Sequence, residues 1–217
     1  MIERIIRWMP QLLNGARTTI IITIISVSIG LVLAVFLALG KMSKHKILSA
    51  PCSAYIFFFR GTPLLMQIYF IYFGLPQLNP ALTIRSAFVA ALIAYVLNTA
   101  AYLAENIRAG IQSIDKGQFE ASRALGLTYG QTMRLVIIPQ TVRRLIPPVG
   151  NEFIMVLKDV SLVAIIGLTD LTKVTRAISS SSATALVYIP AMILYLIITA
   201  FFTFIFNKLE NKYSVYQ

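Results

Sequence analysis

The run Thr18–Gly40 holds 23 consecutive residues without a charged side chain, and nothing else in the chain limits its fold so strongly. At ~1.5 Å per residue, an uncharged helix of that length crosses the ~30 Å hydrocarbon core of a bilayer. A second uncharged run, Ala177–Asn207, is long enough for a loop and a full crossing. Between them lie Ile47–Leu75, Ser86–Ala104 and Leu145–Leu168, each apolar, the first and last interrupted by isolated charges. The chain is 58% hydrophobic and 12% charged, with a mean hydropathy of +0.78. A soluble protein of 217 residues needs far more polar surface. The expected fold class is therefore all-α integral membrane, a single transmembrane domain over residues 1–217. Five crossings are expected at roughly 18–40, 53–74, 84–106, 147–167 and 186–207.

The first apolar run is too long for a signal-peptide core of about 7–15 residues, and no small-x-small cleavage site follows it. Met1–Arg17 mixes Arg4, Arg7 and Arg17 with Ile2, Ile5, Ile6, Trp8 and Leu12. That pattern suits either a short amphipathic helix lying at the interface or a basic lead-in that anchors the first crossing. The single cysteine, Cys52, excludes an intrachain disulfide, and the single histidine, His45, leaves no cluster from which to build a metal site. The net charge of +11 does not point to nucleic acid, because in a membrane protein the placement of charges matters more than their sum.

That placement orients the chain. With five crossings the termini lie on opposite sides. If the N-terminus is outside, the inner segments hold eleven of the nineteen basic residues: Lys41, Lys44 and Lys46; Arg108 to Arg144; and Lys208 and Lys212. The outer segments hold six. This bias predicts N-out and C-in, with the segment of about 112–140 in the cytoplasm.

That segment is a polar, helix-forming interruption in an apolar chain. Asp115–Gln118 reads as a turn that starts a helix, and Phe119–Leu125 continues it. Gly126 ends it by adopting the left-handed conformation. Thr128 opens a second helix, which Pro139 and the pair Pro147-Pro148 are expected to limit. Ala121, Ala124 and Gly126 are small and admit a close partner surface; Glu120 and Arg123 place charge at its rim. The same pattern suits an interfacial helix between two crossings.

The spacing of Glu120, Ala121, Ser122, Gly126, Val136, Ile138 and Pro139 resembles the signature loop of ABC-importer permeases, whose coupling helix docks on an ATPase. Three more stretches resemble polar amino-acid ABC-importer permeases. They are Arg60-Gly61-Thr62-Pro63-Leu64-Leu65; Asn98-Thr99-Ala100-Ala101-Tyr102 with Glu105, Arg108, Ala109 and Gly110; and Asn151-Glu152-Phe153 with Lys158-Asp159 and Ser161-Leu162. Together these matches cover most of residues 55–170. The resemblance implies a type I importer fold and a pair of permease subunits, with a homodimer favoured and a heterodimer possible. It also implies a pair of cytoplasmic ATP-binding subunits and an external solute-binding protein. The chain has no G-x4-G-K-[ST] loop, so it is not expected to be an enzyme, and ATP and magnesium are expected on the partner ATPase. Glu120, Ala121, Ser122, Arg123 and Gly126 are the expected docking residues. The setting implied is the cytoplasmic (inner) membrane of a prokaryote.

Ionisable groups within crossings are costly and usually face a bundle interior or a water-filled cavity. Asn98, Tyr102 and Glu105 fall at i, i+4 and i+7, on one helical face. Glu152 and Asp159 are seven apart, also on one face. These five, with Ser161 from the last motif, form the candidate substrate-binding set. Such carboxylates could hold the ammonium group of an amino acid, a cationic side chain, or both. They could instead form an internal salt-bridge network, Glu105 with Arg108 and Lys158 with Glu152 or Asp159. The carboxylate count tilts the expected substrate toward arginine, lysine or histidine, with glutamine or another neutral polar amino acid as the alternative. Rival classes are a membrane scaffold that recruits a regulator and a secondary transporter driven by an ion gradient.

Overall fold

The computed structural model describes residues 2–213, and every regular element among them is helical. The first is α1, Ile2–Lys41, a single 40-residue helix of ~60 Å. The amphipathic or lead-in segment expected before the first crossing is therefore continuous with it. Pro10 lies inside α1, beyond the first turn, and the helix runs through it with one backbone donor fewer. Trp8, Leu12 and Ala16 are buried against residues near the other end of the chain, among them Leu171, Val187 and Leu194.

The second expected crossing is broken. Helix α2, Lys46–Gly61, and the segment Leu64–Leu78 meet at 103°. That second arm comprises α3, Leu64–Tyr69, a π turn at Phe70–Gly74, and α4, Leu75–Leu78. Helix α5, Ala87–Gln112, runs through the centre of the bundle. Its buried face is rich in alanine (Ala90, Ala91, Ala94, Ala100, Ala101, Ala104), so α1 packs closely along it. Small residues are the usual means of bringing helices together where lipid removes the hydrophobic drive for association.

The cytoplasmic-loop candidate contains α6, Lys116–Ala124, and α7, Tyr129–Thr132. A π turn at Met133–Ile137 leads into α8, Ile138–Asp159. Here the prolines do not stop the helix as expected. The π turn precedes Pro139, and the Ile138 N–H reaches back five residues to the Met133 carbonyl. This widened turn absorbs the donor that Pro139 lacks. Pro147 and Pro148 lie inside α8. A 3-10 segment, Val160–Ile166, ends in left-handed Gly167. Then come α9, Leu171–Ser181, a short 3-10 turn at Ala185–Val187, and α10, Tyr188–Tyr213.

Gly15 of α1 faces the start of α9. A Cβ there would lie 2.8 Å from the Asp170 carbonyl oxygen and 2.9 Å from Leu171 Cα. Asp170 is fully buried and caps α9, accepting from the backbone N–H groups of Thr172 and Lys173 at 2.9 Å each. Burial pushes its carboxyl up from the ordinary range, while those two N–H groups act the other way.

Three helical stretches are long and apolar enough to cross a membrane: Glu3–Lys41, Ala87–Gln112 and Ala185–Tyr213; the bent pair is a fourth if taken as one crossing. The region expected at 147–167 is divided between α8 and the 3-10 segment. It carries Glu152, Lys158 and Asp159 among its apolar residues. Large exposed apolar side chains line α1 (Ile29, Val32, Phe36) and α10 (Leu196, Phe201, Phe204), as lipid contact requires.

Candidate functional site

The break between α2 and α3 builds one wall of a polar cavity. Pro63 has no N–H, so the Phe59 carbonyl four residues earlier loses its helical donor. Side chains supply what the backbone lost. The Thr62 hydroxyl donates to Phe58 O at 2.8 Å. Gln67 Nε2 reaches back to Phe59 O at 3.0 Å, Thr62 O at 3.1 Å and Thr62 Oγ1 at 2.8 Å. Asn98 Nδ2, from α5, donates to Phe59 O and to Gln67 Oε1, each at 3.0 Å. Tyr55 Oη donates to Leu97 O at 2.9 Å and pins α2 to the same stretch of α5.

Gln67 was not among the candidates. It is 6% exposed and sits in an apolar run. The signal that could have found it is an amide one turn beyond a proline break, within reach of the carbonyls that the break frees. Gln67→Leu is expected to leave the Thr62 carbonyl unpaired and to strip one donor from Phe59 O. Orphaning such a group costs about 1–3 kcal/mol. The expected result is a lower thermal midpoint for the detergent-solubilised protein with membrane insertion intact; an unchanged midpoint would show that the amide is dispensable.

The cavity has a volume of about 370 Å³ and lies between the Arg60–Leu64 corner, α5 and α8. Of the candidate substrate residues, Asn98, Tyr102, Glu152 and Asp159 line it together. Glu105 and Ser161 are not part of the lining. Asn98 contributes mainly structure, since both hydrogens of its amide are committed to Phe59 and Gln67. Arg60, not among the expected site residues, stands over the Tyr102 ring with Cζ 5.4 Å from its centre, a cation–π distance. The phenol of Tyr95, from α5, donates to the backbone carbonyl of Asp159 and fixes the end of α8 at the cavity.

Glu105 and Glu152 differ sharply in their surroundings. Glu105 is already paired: Lys41 Nζ lies 2.8 Å from one oxygen, and the Arg108 guanidinium holds the other. Arg108 also reaches Gln112. Glu152 is 8% exposed and has no hydrogen bond or ion pair among the described residues. Arg60 and Asp159 are the charges that bear on it. A carboxylate removed from water without a partner is unfavourable. An incoming ammonium or guanidinium is the chemistry that would satisfy it.

The polar loop is shaped by local bonds. Asp115 Oδ1 accepts from Gly117 N at 2.6 Å and starts α6. Gly126, at φ 74°, ends it in a Schellman arrangement. Leu127 N donates to Ser122 O at 3.0 Å, and Gly126 N to Arg123 O at 2.9 Å. Thr128 and Gln131 form a capping box at the start of α7. Glu120, Ala121, Arg123 and Gly126 are exposed. Ser122 instead turns inward, 4% exposed, its hydroxyl on Gln118 O at 2.7 Å. Around the exposed set lie Leu125, Tyr129 and Leu135, at 80%, 73% and 62% exposure. These apolar side chains were absent from the expected docking set, although large apolar residues in an otherwise polar segment were a signal for them.

Residues 9–215 match the family described as binding-protein-dependent transport system inner membrane component. The arginine transport system permease protein ArtQ of Bacillus subtilis is 39% identical over 206 residues, covering 94% of this chain and 92% of the relative. The glutamine transport system permease protein GlnP of Escherichia coli is 36% identical over 207 residues, covering 95% and 94%. Among solved structures, a crystal structure of an amino acid ABC transporter with histidines superposes with a TM-score of 0.89. It is 40% identical and covers 95% of this chain and 96% of that one. With an all-helical type I ABC permease fold and a family match over nearly its whole length, the chain belongs to the binding-protein-dependent transport system inner membrane component family.

Proposed function

We propose that this chain is the membrane permease subunit of an ATP-driven amino-acid importer and that its substrate passes through the cavity beside the α2–α3 break. The observation that carries the reading is Glu152, a buried carboxylate at the wall of a polar cavity with no partner among the described residues. An amino acid brings an ammonium group for Glu152 or Asp159 and a carboxylate for Arg60. A basic side chain would use the second carboxylate, so arginine, lysine and histidine are the favoured substrates. Relatives named for arginine and for glutamine transport support the amino-acid class and leave glutamine as the alternative. Glu105, with Lys41 and Arg108, serves in this reading as an ion-pair clamp joining α1 to α5.

The chain crosses the membrane five times, with the N-terminus outside and the loop of about 112–140 in the cytoplasm of a bacterial cell. There Glu120, Ala121, Arg123 and Gly126, with Leu125 and Tyr129, dock on one of two ATP-binding subunits. Ser122 supports that helix from within. A second permease subunit completes the path, and an external binding protein delivers substrate.

The architecture is tested by single-cysteine labelling in a Cys52→Ser background together with co-purification. Cysteines placed at Lys44 and Asn211 are expected to react only from the cytoplasmic side, one at Ser180 only from outside, and an ATPase is expected to co-purify. The reverse labelling pattern would overturn the orientation. Purification free of any ATPase, with uptake driven by an ion gradient, would favour a secondary transporter.

A further inference from the structure

A second cleft lies on the outside of the bundle, where α1, α5, α8 and α10 meet beside the polar loop. Its volume is about 470 Å³. Its walls are aliphatic and aromatic, with Leu31, Val35, Ile111, Val142, Leu145 and Phe206 among them. Among the described residues the single hydroxyl on its wall, that of Thr141, is already committed to Ile137 O at 2.8 Å. No polar group is therefore offered to an amino acid, and the cleft has no part in the substrate path.

The end of the cleft nearest the loop is strongly basic. Arg134 precedes the wall residue Ile138 by one turn. Arg143 follows Val142, Lys208 precedes Leu209, and Lys212 lies one turn beyond Leu209. All four are exposed, and none forms an ion pair among the described residues. Lys212 rests near the Tyr213 ring, 5.9 Å from its centre. Across residues 133–149 and 206–213 the single acidic side chain is Glu210. Three other nearby cations are engaged: Lys41 and Arg108 hold Glu105, and Arg144 donates to the Ser113 carbonyl.

We propose that this cleft binds one anionic phospholipid from the leaflet on the loop side, an acyl chain lying along the apolar walls and the phosphate meeting Arg143 and Lys208. An apolar cleft in a membrane-embedded surface is filled by hydrocarbon, and clustered Lys and Arg at its interfacial end select an anionic headgroup. A second copy of the chain is the poorer occupant. A two-fold contact would place this basic end against its own duplicate or close to it, where like charges repel.

The test is native mass spectrometry of the full-length chain in mild detergent, titrated separately with phosphatidylglycerol and phosphatidylcholine. The wild-type chain is expected to retain one phosphatidylglycerol about tenfold more strongly than phosphatidylcholine. Val142→Trp fills the cleft and is expected to abolish that retained lipid. Arg143→Gln combined with Lys208→Gln, both at exposed positions, is expected to keep lipid binding and lose the headgroup preference. Equal retention of the two lipids by the wild-type chain would overturn the proposal. So would undiminished retention by a folded Val142→Trp, or an unchanged preference in the double variant. A lipid-free dimer that Val142→Trp dissociates would assign the cleft to a second copy and would also overturn it.

Discussion

Glu152→Gln is expected to weaken the apparent affinity for arginine tenfold or more while changing that for glutamine by less than threefold. The substitution keeps the shape of the side chain and removes its charge. Because Glu152 is buried and has no bonded partner among the described residues, its charge is free to act on whatever enters the cavity. A charge contact in a shielded cavity is screened less than one at the surface, and a tenfold change corresponds to about 1.4 kcal/mol. Glu105→Gln makes the internal comparison. Its carboxylate is occupied by Lys41 and Arg108, so its loss should affect both substrates equally, through the packing of α1 on α5. Uptake measured side by side for the two substrates, with complex assembly checked in parallel, separates the two carboxylates. Equal losses for arginine and glutamine in Glu152→Gln would place this residue outside substrate recognition.

Ala121→Arg is expected to reduce transport at least tenfold and to separate ATP hydrolysis from uptake, with membrane insertion unchanged. Ala121 is exposed on α6, beside Glu120 and the turn at Gly126. A guanidinium there holds a partner surface away without disturbing the inward-facing Ser122. Leu125 and Tyr129 offer a graded version of the same test. A few side chains, often aromatic, carry most of a contact, and truncating one of these costs about 2 kcal/mol or more. Leu125→Ala and Tyr129→Ala should therefore weaken ATPase association, read out by co-purification yield at rising salt and detergent. Normal assembly and normal uptake in Ala121→Arg would refute the docking assignment.

What could be read from the sequence followed the range of the interactions involved. The loop was legible because its bonds are local. Asp115 caps a helix two residues on, Gly126 ends it, and Thr128 pairs with Gln131. The helical periodicity that grouped Asn98 with Tyr102, and Glu152 with Asp159, also held, because all four line one cavity. Periodicity could not distinguish Glu105 from Glu152. The Glu105 pair with Arg108, three residues on, was legible from spacing, but its second partner is Lys41, 64 residues away, and no spacing rule reaches that far. Gln67, and the structural role of Asn98, were hidden for a related reason. Their partners are carbonyls freed by the break at Pro63, and those acceptors exist only once the chain has bent. Pro147 and Pro148 misled in the opposite sense: each removes a backbone donor, yet α8 runs through both.

The central claim is that an amino acid in the cavity beside the α2–α3 break is what the ATPase responds to. The most direct measurement is ATP hydrolysis by the assembled complex in proteoliposomes, with the external binding protein present, across a panel of amino acids. The account predicts stimulation by a narrow subset, with arginine, lysine or histidine strongest, and loss of that stimulation in Glu152→Gln. Hydrolysis that is indifferent to every amino acid tested, or stimulation by basic amino acids that survives intact in Glu152→Gln, would contradict it.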